Sequence, residues 1–220
     1  MIFHDREEAG RLLAEKLRAY RDEPSGLILA LPRGGVAVGY ELSRVLHLPL
    51  DVFIARKLSM PDNPEYAVGA LSETGAVYLN ADAVEAFHLS HDDLNAFIGI
   101  AREEISRRQQ RYRHGAPLAA VTDRTVILVD DGIATGATFL ATIEAVTELS
   151  PRRLVAAIPV APQDNTALLR SRVDELIVLA TPEPFLAVGH HYQRFTQVTD
   201  EEVLEYLKVA QQARAAHLSH

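Results

Sequence analysis

Val126, Ile127, Leu128 and Val129 form an unbroken apolar run that ends abruptly on two carboxylates, Asp130 and Asp131. A loop rich in glycine and threonine comes immediately after. A short run that is apolar at every position suits a strand buried on both faces, as inside a parallel sheet covered by helices. Open parallel sheets bind their ligands beyond the carboxyl ends of the strands. The two acids therefore fall where a ligand is expected. So does the loop, whose backbone amides lie where a helix begins and suit a phosphate.

The rest of the chain repeats this strand, loop and helix order. Asp5 with Glu8 resembles a capping box and opens a predicted helix over 6–20. "GLILAL" at 26–31 reads as a buried strand, "VAVGYELSRVLH" at 36–47 as a helix and "LDVFIA" at 50–55 as a second strand. This order predicts a parallel sheet with helices on its faces. The middle differs. Residues 65–80 read as a β-hairpin turning at "ETG", and a long helix runs from Ser90 to about Arg113. Parallel order then resumes, with strands at 125–129, 153–160 and 175–180 and helices at about 136–149 and 165–170. Thr199 with Glu202 opens a last helix over about 199–215. The predicted fold class is α/β: an open, mostly parallel sheet flanked by helices, with an inserted β-hairpin and helix flap. The expectation is one domain over 1–220, its insertion spanning about 56–118.

Composition narrows the function. The 220 residues are 48% hydrophobic, enough for a substantial core, and carry a net charge of -8. Nucleic acid and anionic membranes need a basic footprint, so neither is expected as a partner. There is no cysteine, which excludes disulfides and thiolate metal sites. No apolar run is long enough to cross a bilayer. The acidic start, "MIFHDREEAG", does not read as a signal peptide, so a cytoplasmic protein is expected.

The carboxylates suit vicinal sugar hydroxyls or a metal, while amides and threonine hydroxyls donate to a phosphate. A ligand with a phosphate at one end and a diol beside it would use both halves of the strand-end motif. "VILVDDGIATGAT" resembles the signature of the type I phosphoribosyltransferases, which bind 5-phosphoribosyl-1-pyrophosphate (PRPP). The resemblance implies that Asp130 and Asp131 hold the ribose hydroxyls. It gives the 5-phosphate to Gly132, Ile133, Ala134, Thr135, Gly136, Ala137 and Thr138. "LPRGGVAVG" resembles the pyrophosphate loop of the same family, with Arg33 as a forked donor and Gly34 and Gly35 opening the backbone. In "ARKLSMP", Arg56 and Lys57 are expected at the carboxyl end of a strand, Lys57 being the one turned to the pyrophosphate. The catalytic set implied is Asp130, Asp131, Lys57 and Arg33. Mg²⁺ would be held mainly through the pyrophosphate of PRPP, with no residue assigned as a metal ligand.

A broader resemblance to a group of phosphoribosyltransferases rests on "PRGG", "RK" followed by "EYAVGA", and "FLAVGHHYQRF". It covers almost the whole chain and leaves the acceptor open. It implies a transferase that uses PRPP and a nucleobase, with a homodimer common in the family. Two regions stay ambiguous. Arg102, Arg107, Arg108, Arg111 and Arg113 read either as a closing element over the pyrophosphate or as a solvated helix face. Phe185, Tyr192 and Phe195 read either as a base platform or as packing for the last helix. Two other functions fit the motif: a PRPP or nucleotide sensor that catalyses nothing, and a phosphorylase or hydrolase of phosphorylated sugars.

Overall fold

A computed structural model describes residues 1–60 and 63–218. The chain divides into two compact units, one of Met1–Phe53, Leu118–Thr135 and Leu149–His220, the other of Ile54–Pro117 and Gly136–Glu148.

The first unit holds a five-stranded parallel sheet. Its strands are β1 (Gly26–Ala30), β2 (Leu50–Val52), β6 (Thr125–Val129), β7 (Arg153–Val160) and β8 (Glu175–Ala180), in the order β2-β1-β6-β7-β8. Every residue of β1 and β6 is buried, in keeping with the apolar runs Leu27–Ala30 and Val126–Val129. Helices α1 (Arg6–Lys16), α2 (Gly34–Leu46), α6 (Gln163–Arg170) and α7 (Asp200–Leu218) belong to this unit. Asp5 caps α1 by accepting from the Glu8 amide at 3.0 Å, and a short 3₁₀ turn at Arg18–Tyr20 continues it. Thr199 and Glu202 exchange capping bonds of 2.7 and 3.1 Å at the head of α7, as the sequence predicts.

The start of the chain is tied to a late segment. Phe3 bridges to Tyr192, its amide donating to the His191 carbonyl at 2.8 Å and its own carbonyl accepting from Gln193 at 2.8 Å. Phe3, Ala9, Val160 and Tyr192 pack together, with Phe185 and Val188 against them.

The second unit holds an antiparallel sheet, β3-β4-β5, of Ala55–Met60, Asn63–Ser72 and Val77–Leu79. Helices α3 (Ala81–Ala86), α4 (His91–Arg113) and α5 (Ala137–Glu148) belong with it. The hairpin and the Ser90 capping box fall where the sequence puts them. The strand expected at 50–55 does not. It stops at Val52, and Ala55 already starts a strand of the other sheet. No Gly or Pro marks that break, so the continuous run "LDVFIARKLSM" hid it. Glu73, in the hairpin turn, buries its side chain, which accepts from the Ile54 amide at 2.7 Å and from the Gln109 amide group at 3.1 Å, and pairs with Arg113. Among the described residues, no helix is long and apolar enough to cross a membrane.

Candidate active site

Strand order locates the site. The chain leaves β1 toward β2 on one side, and later enters β6 on the other side of β1. Connections that depart in opposite directions open a crevice at the carboxyl ends of the two strands. Register then sets the two strand-end turns at one level. Ala30 pairs with Val129, and the Leu31 amide donates to the Val129 carbonyl at 2.9 Å. The "PRGG" turn and the acidic pair thus leave neighbouring strands side by side.

The glycines show how tightly the two turns meet. A Cβ on Gly34 would run into the Asp131 carboxylate. One on Gly35 would lie 2.9 Å from the Asp130 Cα and 3.0 Å from its Oδ1. Close approach to the acids, and not only access for a ligand, explains why both positions lack side chains. Arg33 precedes α2, partly exposed, with Nη1 4.0 Å from Asp200 Oδ1. The peptide between Pro32 and Arg33 is cis.

The two acids are held unequally. Asp130 Oδ1 accepts from the Asp131 amide at 2.8 Å. Loss of solvent, then the neighbouring charge of Asp131, push the Asp130 carboxyl well above the usual carboxylate range. Burial also raises Asp131, but the charge and hydrogen bond of Arg6 oppose it. Arg6 donates Nε to Asp131 Oδ2 at 2.7 Å and Nη1 to the Thr196 carbonyl at 2.8 Å, and its guanidinium lies 3.9 Å from the Phe195 ring centre. The Tyr192 hydroxyl donates to the Asp131 carbonyl at 2.5 Å, and burial raises its pKa.

Sequence reasoning missed Arg6. One signal pointed to it: a basic residue at the first helical position opposes the helix dipole, which favours acids there. Such a residue needs a carboxylate from elsewhere. Tyr192 is buried between Phe3 and Phe195, with ring centroids 5.4 and 5.0 Å away. Its packing is against the start of the chain and Phe195, not against the last helix as one of the two readings had it. Phe195 stays 37% exposed.

The glycine/threonine loop begins in the first unit. The Ile133 amide donates to the Val160 carbonyl at 2.9 Å, and Asn165 Nδ2 to the Ala134 carbonyl at 2.7 Å. A Cβ on Gly132 would strike Val188. Ala134 and Thr135 are exposed. The remaining loop residues belong to the second unit. Gly136, at φ 82°, takes the left-handed conformation that glycine adopts without cost, and its carbonyl accepts the Leu140 amide at 2.8 Å. Ala137 starts α5. The buried Thr138 Oγ1 has no hydrogen-bond partner among the described residues, so a donor stands ready at the head of that helix.

Lys57 corrects an expectation. It is not at the end of a parallel strand but within β3 of the second unit, opposite Ala70, where it and Arg56 are exposed. Three arginines of α4 are engaged inside the same unit. Arg107 and Arg108 both donate to Glu104, at 2.8 and 2.7 Å, and Arg113 pairs with buried Glu73.

A parallel sheet with two glycine-containing turns at its switch point, one of them opening on paired acids, defines a class of α/β domains that bind ligands at the carboxyl ends of their strands. The match to known proteins is narrower. The phosphoribosyl transferase domain family model matches residues 3–184, and the chain belongs to this family. A Mycobacterium tuberculosis protein, named provisionally as a phosphoribosyl transferase, is 41% identical over 206 residues, covering 94% of this chain and 46% of the relative. The chain therefore spans about half the length of the curated relatives it matches. The crystal structure of TT1426 from Thermus thermophilus is similar at TM-score 0.77 and 41% identity, over 94% of this chain and 98% of that one.

Proposed function

We propose that the domain transfers the 5-phosphoribosyl group of PRPP to a nitrogen nucleophile, most simply a nucleobase. The bond from ribose C1 to pyrophosphate breaks and a bond from C1 to nitrogen forms, through an oxocarbenium-like transition state. The observation that carries this reading is the convergence of the "PRGG" turn with Asp130 and Asp131 at one switch point. A ligand that uses both turns must present a diol to the acids and an anionic group to the glycine turn.

In this reading Asp130 and Asp131 orient the ribose hydroxyls and residues 132–138 bind the 5-phosphate. Arg33, with the Gly34 and Gly35 amides, receives the departing pyrophosphate. Positioning and charge stabilisation then supply most of the rate. The Gly34–Gly35 turn and Arg33 are anion-binding groups, which fits Mg²⁺ arriving bound to the pyrophosphate oxygens and not in a protein cage. When bound, Mg²⁺ would neutralise charge on the leaving group.

The test is calorimetric titration with PRPP and Mg²⁺, followed by pyrophosphate release across a panel of bases. Release that depends on one base supports transfer. Binding without release indicates a PRPP-binding regulator, and release without any base a hydrolase. Replacing both acids, Asp130→Asn with Asp131→Asn, should abolish PRPP binding while circular dichroism stays unchanged. Unaltered affinity in that variant would remove the ribose assignment.

A further inference from the structure

We propose that Arg6 is a positioning residue for the ribose site: it fixes Asp131 as the ionised, singly oriented carboxylate of the acidic pair. The inference rests on the PRPP reading above. Its support is geometric. One guanidinium ties α1 to two other parts of the first unit, donating to Asp131 at the end of β6, and donating to the Thr196 carbonyl while lying over the adjacent Phe195. It does so from the first residue of α1 while only 9% exposed. A guanidinium whose Nε and Nη1 are directed in this way, and whose face is covered by a ring, has one orientation, and it transmits that orientation to the Asp131 Oδ2 it touches.

Two neighbouring, largely shielded carboxylates without a cation tend to share a proton. Here the charges acting on Asp131 are Arg6 from α1 and Asp130 beside it, while Tyr192 is kept neutral by burial. The cation touches Asp131 and not Asp130, so it breaks the symmetry of the pair. Asp131 keeps its negative charge and accepts from a sugar hydroxyl. Asp130 is the member that takes up a proton. The same ion pair closes against Gly34, where a Cβ would lie 3.0 Å from Arg6 Nε. Arg6 thus acts through Asp131 and needs no contact with the ligand.

Removing the charge should let Asp131 rise, since Arg6 is what opposes its burial. Mg–PRPP affinity is compared with wild type at about pH 8 and about pH 6, which removes the titration of the ligand's own phosphates. Arg6→Gln should bind more weakly than wild type at both, and its deficit should be larger at the lower pH, because Asp131 without its cation takes up a proton more readily. Arg6→Lys, which keeps a charge but not the fork, should restore the wild-type pH dependence. In an Asp131→Asn background, Arg6→Gln should have no further effect, because the two act as one unit. Equal loss at both pH values, or additive losses in the double variant, would mean that Arg6 is only a packing residue.

Carbon-13 carboxyl titration of the ligand-free protein tests the same point without PRPP. Asp131 should titrate below Asp130 in the wild type, and the order should collapse in Arg6→Gln. If Arg6→Gln does not fold, the wild-type titration still decides, since a higher value for Asp131 than for Asp130 overturns the proposal. A wild type that shows this order but binds no PRPP would instead count against the function proposed above.

Discussion

Gly34 shows how much one missing methyl group decides. It is the first residue of α2, where alanine is the better helix former by about 1 kcal/mol. Its space, however, is filled by the Asp131 carboxylate and by Arg6. Overpacking costs about 1–3 kcal/mol, and here the displaced groups are a charged pair, so the clash outweighs the propensity. Gly34→Ala should lower stability in urea and weaken PRPP binding together. A variant that gains stability, as propensity alone requires, would show that the turn has room. The sequence suggested Gly34 and Gly35 as glycines for a phosphate. It did not show that they face the acids, because those lie far downstream in the chain. Arg6 was hidden for the same reason, since its partner Asp131 is 125 residues away.

Among elements, the helix starts were the most legible, because their signals are local. Ser90 accepts the Asp93 amide at 3.2 Å while Asp93 accepts the Ser90 amide at 2.9 Å, closing the capping box of the 23-residue α4. Ser90→Ala should cost about 1 kcal/mol, read as a lower urea midpoint for the second unit. An unchanged midpoint would show that packing alone holds this helix end. The β2–β3 boundary was illegible, since it depends on which strand each residue pairs with. Arg56 and Lys57 pair with Leu71 and Ala70 across an antiparallel ladder, and nothing in "IARKLSM" announces that partner. The arginines of α4 were likewise ambiguous from spacing. What spacing did not show is their carboxylate partners, with Glu104 held down to about 2 by hydrogen bonds from Arg107 and then Arg108.

On the scale of the molecule, the parallel sheet and its order of strands and helices were readable throughout, because burial on both faces leaves an apolar signature. How the ends of the chain fasten was not. Asp22 Oδ1 bonds His47 Nδ1 at 2.8 Å, beyond α2, and His217 Nε2 at 3.1 Å, near the end of α7. The hydrogen bond from His47, and then that from His217, lowers the Asp22 pKa. A lowered carboxylate stabilises the fold above its unfolded value of about 3.9 and ceases to do so as pH falls through the folded value. Asp22→Asn should therefore lower the melting temperature at pH 7 and have no effect near pH 2. A loss that persists at low pH would show that the clasp is not electrostatic.

The tie between Arg6 and Thr196, 190 residues apart, also has a consequence in time. A ribosome delivers α1, β1 and β6 long before it delivers Thr196 and Phe195. Until that late segment arrives, Arg6 lacks two of the contacts that orient it, and Asp131 lacks a fixed counter-charge. Closing so distant a contact is slow relative to forming local helices. The contacts of the acidic pair are therefore completed only after residue 196 has been made. A chain stalled before that residue would carry the whole signature motif and still lack the contacts that orient its acids.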